Sequence, residues 1–121
     1  MKPQILYVDD EPFNLLMFKA NFRKEFEVIT APDGIVGLNK LEVNPEISVV
    51  VSDLHMAKMN GIEFVQIAKK QYPEKKFFIL TGFEITDKVK EAMKTNLIVN
   101  HLSKPYDIER MYQIIVDSIK K

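Results

Sequence analysis

The sequence predicts an α/β fold, a doubly wound parallel sheet with helices on both faces. Two observations carry this. Five short apolar, β-branched runs alternate with segments of helical period. Two of those runs, 47–53 and 76–81, are apolar almost throughout, as strands buried on both faces are. Short connections between such units demand right-handed crossovers.

The elements follow in order. "ILYV" at 5–8 predicts the first strand. Phe13, Leu16, Met17 and Ala20 then recur at helical spacing, and Pro12 suits a first helical turn. "FEVIT" at 26–30 predicts the second strand, followed by a weaker helical pattern of Val36, Leu38 and Leu41. "ISVVVSD" at 47–53 predicts the third strand, and Ile62, Val65 and Ala68 mark a helix that ends before Pro73. "KFFILT" at 76–81 predicts the fourth strand, with Ile85, Val89, Ala92 and Met93 on the next helix. "LIVNHL" at 97–102 predicts the fifth strand, and Ile108, Met111, Tyr112, Ile115 and Ile119 stripe the last helix. Turn signals stand at the joins: "APDG", "NP", "NG" and "YP".

The 121 residues suit a single domain over 1–121, either alone or as part of a longer chain. Hydrophobic residues make up 46% and charged residues 28%, an ordinary globular composition. Seventeen basic residues balance seventeen acidic ones, which argues against a general electrostatic hold on nucleic acid or membrane. The lack of cysteine rules out disulfides and thiolate chemistry and agrees with a cytoplasmic location. No apolar run reaches membrane-spanning length.

In doubly wound sheets the working crevice lies beyond the carboxyl ends of the strands. The residues just past those ends are Asp9 and Asp10, then Asp53, Thr81 and Lys104 with Pro105. If the four strands are neighbours, one crevice holds three carboxylates, a hydroxyl and an ammonium. Clustered carboxylates make a hard oxygen site for a small divalent cation, most naturally magnesium (Mg2+). A cation with a lysine and a threonine suits phosphoryl transfer, and an aspartate can accept the group covalently. Singly, each residue has a plainer reading: Asp53 as a strand-end cap, Thr81 as a β-branched strand residue, Lys104 as a surface lysine. Glu11 reads as a charge favoured by a helix N-terminus.

The chain resembles the response regulator receiver domains of two-component signalling, similar to the chemotaxis regulator. The matching motifs are the acids of "YVDDEP", Asp53 in "VVVSDLHM", Gly61 in "MNG", Thr81 in "ILTG" and "SKP" at 103–105. They run nearly the length of the chain. The resemblance implies strand order 2-1-3-4-5 and Asp53 as phosphoacceptor from a histidine kinase or phosphotransfer protein. It implies magnesium on Asp9, Asp10, Asp53 and the backbone carbonyl of His55. It implies Thr81 and Lys104 on the phosphoryl oxygens, a cis Lys104–Pro105 bond, and an output face of helix 4, strand 5 and helix 5. Through that face the domain would meet a downstream output protein or domain, and a phosphorylation-dependent dimer is a further expectation. The domain would catalyse its own modification and be no turnover enzyme.

Two departures stand out. Ala57 replaces a proline common four residues after the acceptor. His101 stands where an aromatic switch residue is usual three residues before the lysine. An imidazole is smaller than a phenol ring, and histidine can gain a charge near neutral pH. The expectation is that a neutral ring turns inward more readily. The alternative function is a phosphorylation-independent pseudo-receiver that acts as a protein-binding module. A small phosphatase would want a second acid where His55 stands. A flavodoxin-like carrier would want Ser, Thr and Gly, not acids, after the first strand.

Overall fold

The structure is a computed structural model describing residues 2–82 and 85–120. Five strands and five helices alternate: β1 Gln4–Val8, α1 Pro12–Phe22, β2 Glu27–Ala31, α2 Gly34–Val43, β3 Ile47–Asp53, α3 Gly61–Gln71, β4 Lys76–Thr81, α4 Asp87–Lys94, β5 Asn100–Ser103 and α5 Ile108–Lys120. The sheet order is β2-β1-β3-β4-β5 and every pairing is parallel, as expected. The order reverses between β1 and β3, which puts the crevice at the ends holding Asp9, Asp10 and Asp53.

Side chains alternate across the sheet and fill two cores. Ile5, Tyr7, Val49, Val51, Phe78 and Leu80 meet Phe18 and Phe22 of α1 and Met111 and Ile115 of α5. Leu6, Val8, Val50, Phe77 and Ile79 meet Leu41 of α2, Phe64 and Val65 of α3 and Val89 of α4. Burying a side chain such as Phe18 stabilises by about 1.5–3 kcal/mol. Helices α2 to α5 start where short polar residues cap them, while α1 starts at Pro12 without a side-chain cap. Asp33 accepts from Val36 N–H at 2.8 Å, and Thr86 accepts from Val89 N–H at 3.2 Å. Asn60 and Glu63 form a reciprocal capping box at 2.9 and 3.0 Å. Each such cap is worth about 1 kcal/mol.

Two segments depart from the sequence reading. Phe13, Leu16, Met17 and Ala20 face outward, with Phe13 63% and Leu16 67% exposed. Helix α1 is apolar nearly all round, so a second register, Leu15, Phe18 and Phe22, was equally available. The sheet takes the aromatic one: Tyr7 stacks on Phe18 with centroids 4.1 Å apart and planes at 9°. Strand β5 is short and starts late, at Asn100, because Leu97 and Ile98 close the turn after α4 through N–H bonds to the Ala92 carbonyl.

One buried cation was not anticipated. Lys75, 4% exposed, donates to the carbonyls of Pro45 and Ile47 at 3.0 and 2.6 Å. It satisfies backbone acceptors at the amino end of the sheet, away from the acidic crevice.

Candidate functional site

Strand ends bring the predicted residues together. Asp9 follows β1, Asp53 ends β3, Thr81 ends β4, and Lys104 follows β5. One carboxylate oxygen from each of Asp9, Asp10 and Asp53 lies within 4.8 Å of the others. Lys104 Nζ stands 2.7 Å from Asp53 Oδ1 and 3.7 Å from Asp9 Oδ2. The Lys104 backbone N–H donates to the Thr81 carbonyl at 2.9 Å, which ties the β4 and β5 ends together beside the acids. Thr81 is buried. The Lys104–Pro105 bond is cis.

The three acids are held differently. Asp9 is 1% exposed and accepts from Tyr7 Oη at 2.6 Å, Asn14 Nδ2 at 3.1 Å and Glu11 N–H at 2.9 Å. Asp10 is exposed and accepts from the Ala57 N–H at 3.1 Å, which binds the β3–α3 loop to the first acidic pair. Asp53 rests against Gly61: a Cβ there would run into the Asp53 carbonyl oxygen. Gly61 also donates its N–H to the Leu54 carbonyl at 2.8 Å. This glycine is needed for close approach of two backbones, not for an unusual dihedral. The His55 side chain is exposed, which suits a role limited to its backbone carbonyl.

Charge at the site is unbalanced. Burial pushes the Asp53 carboxyl above its ordinary range; Lys104 pulls it back, and the charges of Asp9 and Asp10 push it up again. Burial works against the Lys104 ammonium, yet its bond to Asp53 and the charges of Asp53 and Asp9 outweigh that and hold it above its usual value. Burial leads the rise at Asp53, and the rise at Lys104 comes from its bonds and charges with Asp53 and Asp9. A small, hard, oxygen-seeking divalent cation fits this donor set and would relieve the repulsion.

His101 is not part of the acid cluster. It lies on β5 opposite Ile79 and is half-buried, and its Nδ1 is buried with no hydrogen-bond partner among the described residues. Tyr7, Asn14 and the Ala57 N–H were missed in the sequence. Tyr7 left a signal: it sits two residues before Asp9, and a buried phenol needs a partner.

The fold and the crevice define a class, the doubly wound α/β domain with an acid-and-lysine pocket beyond its strand ends. The sequence matches the response regulator receiver domain family over residues 5–116. The chain therefore belongs to that family, whose members are signalling domains of two-component systems. It is 36% identical over 114 residues to the probable chemotaxis protein CheY of Rhizobium etli, covering 91% of this chain and 87% of that protein. It is 32% identical over 119 residues to the transcriptional regulatory protein GlrR of Escherichia coli, covering 97% of this chain. The match spans only 26% of GlrR's length. Among solved structures, a response regulator receiver domain protein from Clostridium thermocellum superimposes with a TM-score of 0.90 at 31% identity, covering 97% of this chain and 94% of that one. Among the described residues no helix is long and apolar enough to cross a membrane.

Proposed function

We propose that this domain is a phosphorylation-activated switch whose acceptor is Asp53. The observation that carries the reading is the approach of Lys104 Nζ to Asp53 Oδ1 at 2.7 Å, within a crevice that Asp9 and Asp10 share. A carboxylate oxygen of Asp53 attacks the phosphorus of a phosphohistidine on a histidine kinase or phosphotransfer protein. The new bond is O–P; the P–N bond breaks, and its electron pair returns to the donor imidazole. Asp9, Asp10, Asp53 and the His55 carbonyl would hold magnesium, which when bound supplies positive charge to the phosphoryl oxygens. Lys104 turns from the bare carboxylate to a phosphoryl oxygen, and the Thr81 hydroxyl donates to another. When the acyl phosphate hydrolyses, water attacks the phosphorus, the O–P bond to Asp53 breaks, and inorganic phosphate leaves the carboxylate as it was.

The donor must bring an apolar surface. Phe13, Met17 and Ile108 rim a 310 Å³ groove that also reaches Lys104 and Tyr106. Phe13, Leu16 and Met17 leave α1 with an exposed apolar face beside the crevice, where a partner could seat. Output would leave through α4, β5 and α5, to a downstream protein or domain or to a second copy. Residues 1–121 read as one receiver domain, and the whole regulator's output is a matter for that longer or separate partner.

Intact mass after incubation with acetyl phosphate tests the reading. One phosphoryl mass should be added with magnesium, little without it, and none in Asp53→Asn. An unmodified parent that still binds magnesium would support the binding-only alternative. Continued labelling of Asp53→Asn would move the acceptor elsewhere.

A further inference from the structure

Asp9 is the most enclosed of the three acids, and a buried carboxylate must have its oxygens occupied. Two neutral donors share its Oδ2: the Tyr7 hydroxyl at 2.6 Å and the Asn14 amide at 3.1 Å. The Glu11 N–H holds Oδ1 at 2.9 Å. Lys104 stands off that same Oδ2 at 3.7 Å while it pairs with Asp53 at 2.7 Å. The phenol is itself fixed. Tyr7 is 1% exposed and lies flat on Phe18, with centroids 4.1 Å apart.

We infer that Tyr7 is a positioning residue of the metal site: its hydroxyl, with the Asn14 amide, holds the Asp9 carboxylate in place and leaves Lys104 to Asp53. The inference rests on the magnesium reading above. Two neighbouring carboxylates, Asp9 and Asp53, compete for one ammonium. If Oδ2 of Asp9 were unoccupied, turning toward Lys104 would relieve its burial, and an ion pair there would cancel the charge a cation needs. Neutral donors satisfy the oxygen and leave the negative charge in place. A hydroxyl-to-carboxylate bond of this length is among the stronger hydrogen bonds, so it holds the rotamer firmly. Packing alone does not call for the hydroxyl, since a phenylalanine would stack on Phe18 equally well. Outer groups that orient a metal-binding carboxylate act in this way.

The test is magnesium titration of the whole chain by calorimetry, with a melting curve taken without metal. Tyr7→Phe should keep the ring stack and weaken magnesium binding on the order of ten-fold. Asn14→Ala should weaken it in the same direction. Tyr7→Leu should lose more stability than Tyr7→Phe but bind magnesium no more weakly, because the hydroxyl is already gone in both. A parent-like dissociation constant in Tyr7→Phe would overturn the inference and leave Tyr7 as a packing residue. Should that variant not fold, an unchanged constant in Asn14→Ala would overturn it instead. A parent that binds no magnesium would overturn the metal reading itself, and this inference with it.

Discussion

Lys104 Nζ lies 2.7 Å from Asp53 Oδ1, one ammonium set among three carboxylates. The pair is not self-sufficient. Burial and the two neighbouring acids keep Asp53 reluctant to ionise even with Lys104 in place. Lys104 gains from Asp53 and Asp9. Its share of stability is therefore full at neutral pH and fades only as pH climbs past 10.5 through the raised folded value.

The sign for Asp53 is opposite. Its folded carboxyl binds a proton more tightly than an unfolded aspartate at 3.8 does, so the ionised form costs stability at neutral pH. That cost fades as pH falls through the folded value toward 3.8. Without magnesium, Asp53→Asn should melt a few degrees above the parent at neutral pH, and the gap should close on acidification. Melting curves across that range check it. A gap that widens in acid would mean that Lys104 more than offsets the burial.

Gly61→Ala places a methyl group against the Asp53 carbonyl oxygen. The backbone must give, at a cost of about 1–3 kcal/mol by analogy with overpacked cores. Urea denaturation should show that loss, and phosphorylation by acetyl phosphate should slow because the acceptor loop is displaced. Unchanged values for both would show that α3 can draw back freely.

Ala57→Pro deletes the N–H that holds Asp10 at 3.1 Å. Asp10 is exposed, so water replaces the bond and stability should stay within about 1 kcal/mol of the parent. Magnesium affinity should fall a few-fold as the acid loses its tether. Tighter binding would show that the N–H competes with the cation for Asp10.

His101→Phe removes a buried ring nitrogen that has no hydrogen-bond partner among the described residues. An unsatisfied buried polar atom costs about 1–3 kcal/mol, so the variant should gain about 1 kcal/mol in urea denaturation. Phosphorylation-dependent amide shifts in α4, β5 and α5 should persist, since an aromatic ring still occupies the position. A loss of stability would mean that the imidazole has an interaction to lose in the folded domain.

Much was determined by sequence alone. The runs of β3 and β4 are apolar on both faces, so they could only be inner strands of a covered parallel sheet. With β1 and β5 placed beside them, Asp9, Asp10, Asp53, Thr81 and Lys104 stand at or just past four strand ends, and their residue types pointed to one chemistry. Tertiary structure alone decided which stripe of α1 is buried. Both registers are apolar, and the rings of Tyr7, Phe26 and Tyr106 across the interface favour Phe18 and Phe22 over Phe13 and Leu16. It also decided how each acid is held. Asp9 and Asp10 are adjacent letters just past β1, yet their partners come from different elements. Asp9 is buried under Tyr7 and Asn14, and Asp10 is exposed against a loop N–H 47 residues away. Periodicity specifies what a segment can bury; which partner meets it depends on contacts between residues far apart in the chain.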